Sequence, residues 1–77
     1  MRTRRIEVPA GEELVYAPDD WNDSLVVVEE GAIEVESRHG ARRTFGAGSV
    51  LWLQRMRIRV LRNSGEAATV LTARSRA

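Results

Sequence analysis

Leu25-Val26-Val27-Val28-Glu29-Glu30-Gly31-Ala32-Ile33-Glu34-Val35-Glu36 is the stretch whose reading decides the fold class of this 77-residue chain. Leu25 to Val28 is a β-favouring run that is apolar on both faces of a strand. Such a strand needs cover twice, once by the molecule's interior and once by another sheet or subunit. Gly31 breaks the run. Ile33-Glu34-Val35-Glu36 then alternates, as a strand with one wet face does. Arg38-His39-Gly40 suits a tight hairpin with Gly40 in the left-handed conformation. Either register of that hairpin brings Glu34 and Glu36 near Arg42 and Arg43, where opposite charges attract across the strands.

Outward from this centre the pattern repeats. Ile6 to Val8 is a first strand ended by Pro9-Ala10-Gly11, and Leu14 to Tyr16 is a second. A polar loop follows, Ala17-Pro18-Asp19-Asp20-Trp21-Asn22-Asp23, whose Pro, Asp and Asn are turn formers around one large aromatic. Downstream, Gly46-Ala47-Gly48 is a turn and Val50-Leu51-Trp52-Leu53 is again apolar on both faces. Arg55, Arg57 and Arg59 alternate strictly with Met56, Ile58 and Val60, which places the three Arg side chains on one strand face and the apolar three on the other. Asn63-Ser64-Gly65-Glu66 turns into a last strand, Ala67 to Ala73. Short strands punctuated by turn signals at this spacing predict an all-β sandwich or barrel, and no sustained 3.6-residue period predicts a helix.

A chain this short forms one domain with a thin core. It has no Cys and so no disulfide staple, and a second copy is the expected extra source of buried area, a homodimer. Absence of Cys fits a reducing cytoplasm. No apolar run approaches the roughly 20 residues of a membrane span, and Met1 to Arg5 lead into no signal-type segment, so neither export nor a membrane partner is expected. The net charge of +1 hides an uneven distribution: residues 1–37 hold three Arg against ten acids, and residues 38–77 hold nine Arg and only Glu66. The simplest account is that strands from the two halves pair and neutralise each other across a sheet. The alternative is an Arg-rich face that meets an anion, nucleic acid included.

The stretch from Val26 to Leu71 resembles the cupin superfamily. Gly31, within Val28-Glu29-Glu30-Gly31-Ala32-Ile33-Glu34-Val35, is similar to the glycine that closes the family's first motif. Gly48 and Asn63 stand fifteen residues apart, as do the two ends of its second. The resemblance implies a small cupin-type jelly-roll β-barrel of about eight short antiparallel strands spanning residues 1–77. The family's metal ligands are replaced. The glutamate position holds Ser24, the His-X-His pair would fall near Pro18 and Asp20 or Ala17 and Asp19, and the second-motif histidine position holds Arg59. The Pro and Gly positions of that motif hold Gln54 and Met56. No metal and no cofactor are therefore expected, since iron, manganese or zinc in such a site needs several imidazoles. Cyclic-nucleotide-binding domains share a related shape, but their Gly-Glu-Leu phosphate cassette has no counterpart at Gly48-Ser49-Val50.

Several chemistries are disfavoured directly. The single histidine, His39, lies at a predicted hairpin tip, where a polar turn role suffices. Asp19, Asp20, Asn22 and Asp23 lack the alternation and distal Glu of a calcium loop. A Cys nucleophile is impossible, and no elbow motif presents a Ser. A Tyr16, Trp21, Ser24, Trp52, Gln54 and Arg59 set remains as the candidate ligand-binding group, because pockets combine apolar walls with a few aimed polar groups. In the family's phase Arg59 points into the barrel mouth and would select a carboxylate or phosphate. Strict alternation with a Met56-Ile58-Val60 core face points it outward, and only a bulge or a second buried face reconciles the two. The leading expectation is a metal-free cupin-like binding or regulatory module, holding an anionic or polar small molecule or acting as a dimeric interaction domain. A metal-independent isomerase, epimerase or cyclase is the second, with Tyr16, Asp20 and His39 as acid–base candidates. Nucleic-acid binding by the Arg-rich half is the third and least favoured.

Overall fold

A computed structural model describes residues 2–17, 21 and 24–75, with Gln54 described by its backbone alone. Pro18, Asp19, Asp20, Asn22, Asp23 and the Gln54 side chain, all named above, lie outside the described residues. The strands are β1 (Arg2–Val8), β2 (Glu13–Val15), β3 (Leu25–Glu30), β4 (Ala32–Ser37), β5 (Arg42–Gly46), β6 (Val50–Trp52), β7 (Ile58–Arg62) and β8 (Thr69–Ser75). Leu53–Met56 forms one helical turn.

Every ladder is antiparallel, and the strands form two four-stranded sheets ordered β1-β8-β3-β6 and β2-β7-β4-β5. Four of the ladders are nested: β4 with β5, β3 with β6, β2 with β7 and β1 with β8. The chain is thus one long hairpin with its tip at Arg38–Gly40, rolled up until β3 meets β8 and β4 meets β7. The all-β expectation holds. A closed barrel does not form, because among the described residues no ladder links an edge of one sheet to the other. Edge strands β2 and β6 are three residues long, about 10 Å of backbone, too little to turn a corner and pair in both sheets.

The core lies between the sheets. Val8, Val26, Val28, Leu51, Leu71 and Ala73 face Ile33, Val35, Ile58 and Leu61, while Trp21 and Leu53 pack into the same cluster. Two turns depend on glycine. Gly40 has φ 85° in the β4–β5 turn, where its N–H donates to Ser37 O at 3.0 Å. Gly31 has φ 77°, and a Cβ there would sit 2.8 Å from Thr69 Oγ1, so both its conformation and its neighbour exclude a side chain. Asn63 is buried and clasps one end of the sandwich. Its Nδ2 donates to Val8 O at 2.9 Å and Ala67 O at 2.8 Å, and its Oδ1 accepts Gly65 N–H at 3.0 Å.

The expected strict alternation from Met56 to Val60 is corrected by a bulge. Met56 ends the helical turn, and Arg57 adopts a left-handed conformation (φ 50°, ψ 57°). Glu36 pairs with Val60 but Ser37 pairs with Ile58, which leaves Arg59 with no opposite number on β4. An extra residue in one strand re-aims the side chains around it. Ile58 and Leu61 consequently join the core cluster, whereas Arg59 and Val60 both take the outer face with Glu36. The tyrosine N–H of Tyr16 donates to Arg59 O at 3.0 Å and carries the β2 pairing past the bulge.

Candidate functional site

Five of the six candidate ligand residues, Tyr16, Trp21, Ser24, Trp52 and Arg59, have described side chains. Tyr16 and Trp21 do meet: their rings stack with centroids 6.4 Å apart and planes 22° off parallel. Trp21 is buried, with Arg4 over its ring at 5.3 Å, and it lines a cleft of about 250 Å³ with Arg4, Ile6, Leu14 and Val15. Ser24 is buried beside them in the chain, its N–H donating to Trp21 O at 2.8 Å. Trp52 stands on the outer face of the other sheet, under Arg55 at 5.0 Å. Gln54 belongs to the helical turn that follows it. Of the two orientations left open for Arg59, the structure has the outward one: the bulge turns its guanidinium onto Glu36, where Nε donates to Oε2 at 3.1 Å.

The outer face of the β2-β7-β4-β5 sheet is a charge network. Arg62 reaches Glu13 at 3.0 Å, Glu34 at 2.8 Å and Glu36 at 3.4 Å. Glu36 also accepts from Arg42 Nε at 3.1 Å and from Arg59. Three guanidinium groups of the second half of the chain are therefore matched by three carboxylates of the first. The pairing expected for the β4–β5 hairpin is half right. Glu36 faces Arg42, but Arg43 faces Val35 on the core side, because neighbours along a strand point to opposite faces. The Arg59 hydrogen bond, reinforced by the charges of Arg59 and Arg42, holds the Glu36 carboxyl below the usual carboxylate range against the opposing effect of burial. The hydrogen bonds that Arg62 donates to Glu13 and Glu34 raise its pKa and keep it charged.

The outer face of the β1-β8-β3-β6 sheet is different in kind. Cross-strand register lays it out in three rows. Thr3, Arg74, Leu25 and Trp52 form the first, and Arg5, Thr72, Val27 and Val50 the second. Glu7, Val70 and Glu30 form the third. Leu25 is 44% exposed, Val50 62% and Trp52 40%, so the β3–β6 half of this face is an uncovered apolar surface. The second cover that the doubly apolar runs at Leu25–Val28 and Val50–Leu53 demand is not supplied by the described residues.

A further cleft of about 230 Å³ opens between the sheets beside β5, lined by Val35, Ser37, Ala41, Arg43 and Met56. Of the acid–base candidates, His39 sits on the exposed β4–β5 turn, and Tyr16 follows β2 at the opposite edge of the same sheet. Among the described residues no three His, Cys, Asp or Glu side chains gather as a metal would require. No helix among them is long and apolar enough to cross a membrane. No family model matches the chain, and no curated protein matches it.

Proposed function

We propose that this chain is a metal-free binding or regulatory module of the cupin kind, a jelly roll that works as a homodimer through the outer face of its β1-β8-β3-β6 sheet. The jelly-roll reading is supported by the nested ladders and by the two sheet orders, which are what an eight-strand hairpin gives when rolled into facing sheets. Two of the residues at the family's ligand positions do not suit a dication: Ser24 offers a buried hydroxyl, and Arg59 is cationic and turned outward.

The observation that carries the reading is the uncovered Leu25, Val50 and Trp52 surface around the half-buried Val27. A second copy is the occupant this face fits, because a two-fold axis across the strands at the Val27 row lays Val27 and Val50 of one copy on the same apolar pair of the other. Closed two-fold contacts of this sort are the commonest in homo-oligomers. One partner's share of a standard interface, about 800 Å², is roughly a sixth of the 5092 Å² molecular surface, within the reach of one sheet face.

Sedimentation and light scattering test this. The wild-type chain should have twice its 8.6 kDa mass at micromolar concentration. Val50→Glu, at a position already exposed, should give a monomer with an unchanged β-sheet spectrum. A wild-type chain that stays monomeric at several hundred micromolar would overturn the proposal. The competing reading, nucleic-acid binding through the Arg-rich half, is weakened by the Glu13, Glu34 and Glu36 carboxylates that occupy Arg42, Arg59 and Arg62.

A further inference from the structure

We propose that the cleft beside β5 is a binding site for a small organic acid, a single carboxylate on a short apolar body, held by Arg43. This goes beyond self-association and uses a different surface. The register Val35↔Arg43 puts the Arg43 side chain on the core side of β5, the last strand of its sheet, so the guanidinium stands at an open edge of the interior. The cleft it enters is walled by Val35, Ala41 and Met56 and measures about 230 Å³, below the range of drug-sized pockets.

Three features give that cleft a ligand chemistry. Arg43 lies over the Phe45 ring at 5.6 Å, which orients the guanidinium plane without consuming its donors. Unlike Arg42, Arg59 and Arg62, it forms no ion pair with the carboxylates among the described residues. Ser37 Oγ already accepts the N–H groups of His39 at 3.3 Å and Ala41 at 3.2 Å, so its hydroxyl proton is left to donate. A charged fork and a hydroxyl donor suit a carboxylate, and the apolar walls favour a hydrocarbon body over a bare inorganic anion. Arg38 and Arg57, joined by the 3.0 Å bond from Arg38 N to Arg57 O, add positive potential at the same end.

Amide chemical-shift titration of the intact chain with hexanoate, hexan-1-ol and inorganic phosphate tests the site. Hexanoate should saturate with shifts centred on residues 35–43 and 56. Its binding should exceed that of the alcohol and of phosphate by about tenfold, the difference a charge-assisted bidentate contact makes. Arg43→Gln should lose that tenfold while Arg59→Gln retains it. Ala41→Leu, which fills the cleft and leaves Arg43 in place, should weaken hexanoate as well. Equal binding of alcohol and acid, equal binding of phosphate and acid, or an Arg43→Gln variant that binds like wild type would each overturn the proposal. Retention of hexanoate binding in the monomeric Val50→Glu chain separates this result from the fate of the dimer.

Discussion

Glu36 lies on the outer face of its sheet and is nevertheless only 6% exposed, because Arg42, Arg59 and Arg62 close over it. Its carboxyl titrates below the usual range in the folded chain, whereas in an unfolded chain it titrates near ~4.3. A depressed folded-state value adds stability that is present above the unfolded value and is lost as pH falls through the folded one. Glu36→Gln should therefore melt below wild type at pH 7, and the gap should shrink as the pH is lowered from about 4 towards 2. Melting curves across that range check this, and a gap of constant size would contradict it. Arg59 shows the same site from the other side. Its role as an anion selector rested on an inward side chain, and one unpaired residue in β7 turned it outward.

At the scale of elements, the two positive-φ glycines flanking β4 should respond differently to the same substitution. At Gly40 a Cβ meets nothing within 4 Å, so Gly40→Ala carries the left-handed backbone cost alone, about 1–2 kcal/mol. At Gly31 the same cost is joined by a contact of 2.8 Å with Thr69 Oγ1, a hydroxyl that is already committed to Ala32 O at 2.6 Å. Gly31→Ala should cost at least about 1 kcal/mol more than Gly40→Ala, the lower range of overpacking. Urea unfolding of the two variants measures the difference, and equal losses would show that the β3–β4 junction yields easily. The bulges matter in the same way. One lies between Val28 and Glu30 in the β3–β8 ladder and one between Glu36 and Ser37 in the β4–β7 ladder, and each changes which side chains share a face.

For the whole molecule, nesting brings the ends of the chain together: Arg2 pairs with Ser75 in the outermost ladder. A circular permutant that joins the two ends by a short flexible linker and opens between His39 and Gly40, on an exposed turn, should keep a cooperative melt. Opening at Gly31, packed against Thr69, should abolish it. A permutant opened at the exposed turn that fails to fold would mean that the β4–β5 hairpin must form first, from contiguous chain. Self-association adds a second expectation at this scale, a melting temperature that rises with protein concentration in wild type and is flat in Val50→Glu.

Strand character, turn positions and the left-handed Gly40 were legible in the sequence because they depend on neighbours within a few residues: β-favouring runs, alternation and the turn formers between them. The doubly apolar runs around Val27 and Val50 likewise announced a need for cover on both faces, and the uneven charges of the two halves anticipated the Glu36 and Arg62 network. Only the tertiary structure decided the rest. Whether the strands close a barrel, which face Arg43 and Arg59 take, and which aromatics meet all depend on register between strands far apart in the chain. A single bulged residue inverts the inward and outward sets without altering the composition or the pattern around it.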